Sequence, residues 1–153
     1  MTVQAEVADR MTAPPGGRVY GVPSVNLAWY ASARRAGPVP NVNSGLVAFT
    51  RRPPPEPGVP REEVFAVVDA AFAQRRKTLR AALARWVGGP DAAEAIRRGA
   101  GVDPGTRGES LTVAEFTCIS RYMRSLRPYL LGGRHLAVSE RRSLPDLPHS
   151  SIW

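Results

Sequence analysis

Apolar positions change period several times along the chain. Val3, Val7 and Met11 recur at i, i+4 and predict a short helix over 3–11. Ala13-Pro-Pro-Gly-Gly17 ends it in a loop. Two periods compete over Val22–Tyr30: Val25, Leu27 and Trp29 alternate like a strand, whereas Val22, Val25 and Trp29 share one helical face. Gly37-Pro-Val-Pro-Asn41 is a turn-rich break, and Ser44–Thr50 is an apolar run of strand length. Arg51–Pro60 holds five prolines in ten residues. Such a stretch predicts a stiff extended linker and the boundary between two domains, 1–50 and 61–126.

After the prolines the period becomes helical. Glu62 and Glu63 suit the positive end of a helix that starts beyond Pro60. Val64, Phe65, Val68 and Phe72 form one stripe, and Leu79, Leu83 and Trp86 form a second, up to Gly88-Gly-Pro90. One continuous helix would put Arg75 on the apolar face. Either the helix breaks over 74–78 with Thr78 as a cap, or Arg75 turns inward to a partner. Asp91 and Glu94 open a helix that stops at Gly99. Thr112-Val-Ala-Glu115 is a capping box with Leu111 and Phe116 at the staple positions. Beyond Leu126 the period dissolves, and 127–153 reads as a disordered tail.

Composition adds the first functional hint. The 153 residues carry 21 basic and 13 acidic side chains, a net +8, with 43% hydrophobic residues. That is a globular composition, and no apolar run nears the ~18 residues of a membrane span. The first ten residues have no signal-peptide pattern, so a cytoplasmic protein is expected. One cysteine, Cys118, excludes an internal disulfide, and with only His135 and His149 no ordinary zinc site is expected. No serine or Cys118 has an evident histidine partner, so nucleophilic catalysis has no support. The basic excess favours a polyanionic partner, nucleic acid before membrane.

Phe72-Ala-Gln-Arg-Arg-Lys-Thr-Leu-Arg80 concentrates it. Arg75, Arg76, Lys77 and Arg80 fall within six residues, and Lys77 is the only lysine of the chain. Several cations at fixed spacing suit a phosphate backbone, and Arg adds a bidentate fork. A solvated helix face is the plain alternative, but no acidic residue stands at i±3 or i±4 from Arg76, Lys77 or Arg80. Arg51-Arg52 could extend the surface or simply end a strand. Gly99-Ala-Gly101-Val-Asp-Pro-Gly105 fails as a nucleotide loop, because no strand precedes it and Pro104 takes the third glycine's place.

Taken in order, Val3–Arg10, Tyr20-Gly-Val-Pro-Ser-Val25, Pro38-Val-Pro-Asn-Val-Asn-Ser44, Ala71–Leu79, Gly101-Val-Asp-Pro104 and Arg107-Gly-Glu-Ser-Leu111 resemble the C-terminal half of the small-subunit ribosomal RNA adenine dimethyltransferases. The resemblance covers 3–116. It implies an α/β Rossmann-like methyltransferase remnant over 1–50, with Val22–Tyr30 a helix. A small all-α domain over 61–126 then docks ribosomal RNA, and the chain is mostly helical. It implies S-adenosylmethionine as the family's cofactor and dimethylation of two adjacent adenines as its reaction. Arg75, Arg76 and Lys77 match the family's basic docking motif. Pro38, Pro40 and Asn41 fall on the target-adenine side of the active site.

The chain also departs from the family. The glycine-rich cofactor loop and the Asn-x-Pro-Tyr motif are not found. A short stretch with an aromatic is missing between Gly37 and Pro38, and Asn43 replaces the usual Asp. No residue is therefore assigned as catalytic or cofactor-binding, and S-adenosylmethionine is not expected to bind this chain alone. The expectation is a monomeric fragment or divergent member, inactive by itself, whose partner is small-subunit ribosomal RNA, with no metal and no membrane. A non-catalytic RNA-binding module and a gene remnant are the alternatives. With few strands present, Val42–Thr50 is expected to lack partners and 1–50 to be poorly stable alone.

Overall fold

The computed structural model describes residues 1–131, with side chains as far as Pro128. The chain order is β1 (Thr2–Gln4), α1 (Ala5–Thr12), α2 (Val22–Tyr30), β2 (Ala31–Pro38), β3 (Ser44–Arg51), α3 (Arg61–Ala73), α4 (Leu79–Val87), α5 (Pro90–Gly99), a short 3-10 turn (Gly108–Ser110) and α6 (Val113–Leu131).

The three strands form one antiparallel sheet in the order β1-β3-β2. The expectation that Val42–Thr50 lacks partners is corrected: β3 is the central strand. Thr2–Gln4 pairs along one edge and Ala31–Pro38 along the other. The helix expected from residue 3 begins instead at Ala5, because the first residues are drawn into the ladder and Val47 N–H donates to the Met1 carbonyl at 2.9 Å. The Gly37–Pro38 end of the expected break belongs to β2, whose register slips at a bulge between Arg35 and Gly37. Gly37 has φ +148 there, which a side chain rarely adopts.

α1 lies on one face of this sheet. A Cβ at Gly45 would stand 2.9 Å from the Ala8 Cβ, so the helix approaches β3 as closely as glycine allows. Arg35 reaches across to Asp9. α2 is a helix, as the family resemblance implies. Its first turn is tied by Ser24, whose Oγ accepts from Gly21 N–H at 3.1 Å and donates to the Arg10 carbonyl at 2.6 Å.

The helix after the prolines does break over 74–78, and Thr78 Oγ1 accepts from Ala81 N–H at 3.4 Å. The capping box forms in full: Glu115 accepts from Thr112 N–H at 2.7 Å, and Thr112 Oγ1 accepts from Glu115 N–H at 3.2 Å. Leu111 and Phe116 are both buried beneath it. α6 runs on to Leu131, so 127–131 is helical rather than tail; the rest of the expected tail, 132–153, lies outside the described residues. Trp86 departs from its expected place in the second stripe. It stays about half exposed at 47%, while Leu79 and Leu83 are fully buried.

One hydrophobic core joins residues on both sides of the proline-rich segment. Tyr20, Val25 and Trp29 pack with Val64, Val68, Leu83, Ile96, Phe116 and Ile119. Each fully buried aliphatic or aromatic chain stabilises the fold by roughly 1.5–3 kcal/mol. The segment itself takes part, since Val59 is buried in the same cluster. Tyr20 adds a polar tie: its hydroxyl donates to the Leu111 carbonyl at 2.6 Å across 91 positions.

Candidate nucleic-acid interface

The basic cluster does not lie in mid-helix. α3 ends at Ala73, and Arg75, Arg76 and Lys77 occupy the turn that leads to α4. The turn is closed by Lys77 N–H on the Gln74 carbonyl at 2.8 Å. The loop 106–109 supports it from beneath. Leu79 N–H donates to the Thr106 carbonyl at 2.8 Å, and Gly108 sits against Ala71 so closely that a Cβ there would lie 2.9 Å from the Ala71 Cβ.

The four cations of the cluster are held differently. Arg75 Nε stands 3.0 Å from Glu109 Oε2, and its Nη2 donates to the Arg18 carbonyl at 2.8 Å. The helix break is realised, and Arg75, though it stays exposed, finds partners in Glu109 and the Arg18 carbonyl. Arg80 lies 3.7 Å from Glu94. The absence of nearby acidic residues in sequence is made up by carboxylates from α5 and from the 3-10 turn. Arg76 and Lys77 are exposed, and neither has an ion pair among the described residues.

Arg51 and Arg52 sit at the end of β3, beside the C-terminus of α2. Arg51 is exposed with its backbone paired to Ala31. Arg52 is engaged: Nε donates to the Ala28 carbonyl at 2.8 Å, and its own N–H donates to the Tyr30 carbonyl at 3.0 Å. A cation at the carbonyl end of a helix satisfies groups that have no partner within the helix. No hydrogen bond or ion pair among the described residues joins this pair to the 75–80 cluster. Pro38, Pro40 and Asn41 form the end of the β2–β3 hairpin, all exposed, with Asn41 at φ 62.

Two open grooves flank the core. One, of about 480 Å³, runs between α2, the start of β2 and the start of α6. Its polar groups are already spent internally, as Tyr20 bonds Leu111, Ser24 bonds Arg10 and Arg52 bonds Ala28. The other, of about 520 Å³, is lined by Val67, Trp86, Met123 and the Glu63–Arg124 pair at 3.3 Å. Neither groove includes Pro38, Pro40 or Asn41.

Titration behaviour reports structure here. Burial first, then the Glu115 charge, pushes the Tyr20 phenol up to about 12. The hydrogen bond from Arg97 holds the Glu94 carboxyl down to about 2. Burial pushes the Cys118 thiol up, away from the thiolate a nucleophile needs. Among the described residues no three His, Cys, Asp or Glu side chains form a metal cluster, and no helix is long and apolar enough to cross a membrane.

The described residues do not fit an adenosyl cofactor. Open α/β folds hold such groups at the carboxyl ends of parallel strands, against a helix N-terminus. Every described strand pair is antiparallel, and the glycine-bearing stretch 99–105 follows α5 rather than a strand.

The family model described as "Ribosomal RNA adenine dimethylase" matches residues 1–125. A "Ribosomal RNA small subunit methyltransferase A" of Kineococcus radiotolerans is 66% identical over 128 residues, covering 78% of this chain and 43% of the relative. The protein of the same name from Thermobifida fusca is 61% identical, covering 78% of this chain and 45% of the relative. The chain thus spans less than half the length of these curated relatives. The crystal structure of the 23S rRNA methyltransferase ErmE superposes with a TM-score of 0.58 at 22% identity, over 81% of this chain and 53% of that one, and so shares its fold.

Proposed function

The chain belongs to the ribosomal RNA adenine dimethylase family, and from that premise we propose that it supplies the RNA-docking portion of such an enzyme, acting on small-subunit ribosomal RNA. The portion corresponds to the C-terminal half of the family. Residues 1–50 are its α/β remnant, 51–60 its proline-rich connection, and 61–126 its helical docking region. The observation that carries this reading is the turn at Arg76-Lys77. Two exposed cations without carboxylate partners among the described residues project from a scaffold fixed on both sides. Phosphate oxygens are the complementary ligand, and such contacts fix the register of a protein on RNA without reading its sequence. Arg51 adds an exposed cation at the end of β3.

S-adenosylmethionine is the cofactor of the family, and a methyl group would come from it in the complete enzyme. This chain contributes binding and orientation of the RNA rather than the transfer step, so it is inactive alone. The place of action is the cytoplasm, where ribosomes are assembled. A stand-alone, non-catalytic ribosome-binding module is the second reading. It draws support from the core that joins Tyr20, Val25 and Trp29 to the helices beyond the prolines, since such a chain can fold without the cofactor half.

Filter binding of the full chain to a small-subunit ribosomal RNA hairpin over a series of salt concentrations tests the RNA reading. Binding should weaken with salt at a slope of about 0.7–0.9 per phosphate contact. The double variant R76A/K77A should lower the slope by roughly two contacts. An unchanged slope removes the reading. Calorimetry with S-adenosylmethionine should register no binding, and ordinary affinity would show that the chain holds a cofactor site.

A further inference from the structure

We propose that Arg75 is a positioning residue, not a phosphate ligand: clamped between Glu109 and the Arg18 carbonyl, it sets the turn from which Arg76 and Lys77 reach RNA. The inference rests on the RNA-docking reading above and divides the basic cluster into two roles. Arg75 is neutralised and fixed at both ends of its guanidinium, by Glu109 Oε2 at 3.0 Å and the Arg18 carbonyl at 2.8 Å. These partners come from the 3-10 turn and from the loop before α2, while Arg75 itself sits between α3 and α4. One side chain therefore ties three separate segments. The partner is itself anchored, because Gly16 N–H donates to the Glu109 carbonyl at 2.7 Å.

Arg80 is paired more loosely, with Glu94 at 3.7 Å. Arg75 commits its Nε and Nη2 to protein partners on two different segments, and leaving its carboxylate would expose an opposing charge to the RNA. Arg76 and Lys77 carry no such commitment among the described residues. The charge run that looks uniform in sequence is thus two struts flanking two contacts. The ligand chemistry is the phosphodiester backbone, and the phosphate count at this turn is two rather than four.

Salt-dependent binding of the full chain to the same RNA hairpin separates the roles. R76A and K77A should each lower the salt slope by about one contact's worth and cost on the order of tenfold in affinity. R75A should weaken binding several-fold and lower the slope with it, because Arg76 and Lys77 lose their phosphate contacts when the turn is released. In the R75A background, K77A should cost less than about twofold, because the turn is no longer held in its binding shape. A loss of fold elsewhere would not create that coupling, so the same cycle run with the core variant V59A in place of R75A should be additive. If R75A does not fold, E109A reads the same clamp with the opposite Coulomb sign. Removing an acidic residue beside the site tightens RNA binding if only charge counts, whereas loss of the clamp weakens it. A K77A effect as large in the R75A background as in the native chain, or tighter binding by E109A, overturns the positioning role. Failure of R76A and K77A to change the slope overturns the RNA-docking reading instead.

Discussion

Glu94 and Arg97 face each other one turn apart on α5 and close a two-pronged ion pair, Nε to Oε2 at 2.9 Å and Nη2 to Oε1 at 2.5 Å. Arg97 is almost fully covered, and its remaining prong caps the Val102 carbonyl beyond the helix end. Arg98 and Arg80 approach the same carboxylate at 3.1 and 3.7 Å. One carboxylate therefore gathers three guanidinium groups and fastens α4 to α5.

This hub sets an acid limit on stability. The Glu94 carboxyl titrates near 2, below its ordinary 4.5, chiefly through the Arg97 hydrogen bond. A depressed folded-state value means that the contribution is present above 4.5 and is lost as pH falls toward 2. The E94Q variant should melt at a lower temperature at neutral pH, and its deficit should vanish as the pH approaches 2. A deficit independent of pH would show that the charge of Glu94 is not what stabilises the pair.

The Tyr20 hydroxyl should act as a buried tie. Replacing it with Phe leaves the Leu111 carbonyl without its donor at 2.6 Å, at a cost of about 1–3 kcal/mol. The phenol stays protonated in the fold to about 12, so its share of stability is present below 10 and is lost as pH rises through 12. Urea unfolding of the Y20F chain and tyrosinate absorbance of the native one measure the two effects separately.

Gly99 should tolerate no side chain. A Cβ there would lie 2.0 Å from the Tyr122 ring, where α5 ends against α6. The G99A variant should lose on the order of 1–3 kcal/mol through forced repacking. G105A is the control, because nothing lies within 4 Å of a Cβ at that position. Shortening Tyr122 to Ala in the G99A background should recover part of the loss by removing the clash.

The proline-rich segment should behave as packed chain. Val59 is 8% exposed within the core cluster, and V59A should cost about 1.5 kcal/mol at ~0.8 kcal/mol per buried methylene. The exposed Pro54, three residues beyond the end of β3, should accept Ala with little change in melting temperature. Equal tolerance at both sites would mean that the segment is a free spacer.

Local chemistry was legible where it is self-contained. The capping box at Thr112 and Glu115 needs only neighbours three residues apart, and the helix break at Thr78 announces itself through Arg75 on an apolar face. β2 was not legible. Its sequence, Ala-Ser-Ala-Arg-Arg-Ala-Gly-Pro, alternates no large apolar residues, and it becomes a strand only because β3 offers a full ladder beside it. The partner of Arg75 was equally hidden, since Glu109 stands 34 positions away. Trp86 fits the stripe of α4 by spacing, yet it stays half exposed at the rim of the open groove between α3 and α6.

The bond from Tyr20 to Leu111 also dictates when the protein can become itself. During synthesis α3 can pack on Val25 and Trp29 first, but the part of their cover that comes from 111–119 is missing until that stretch has been made. At roughly 5–20 residues per second, the 91 positions between Tyr20 and Leu111 correspond to about 5–20 s of synthesis. Over that interval the core around Tyr20 stays open on the side that α6 will cover, and the arrival of α6 closes it.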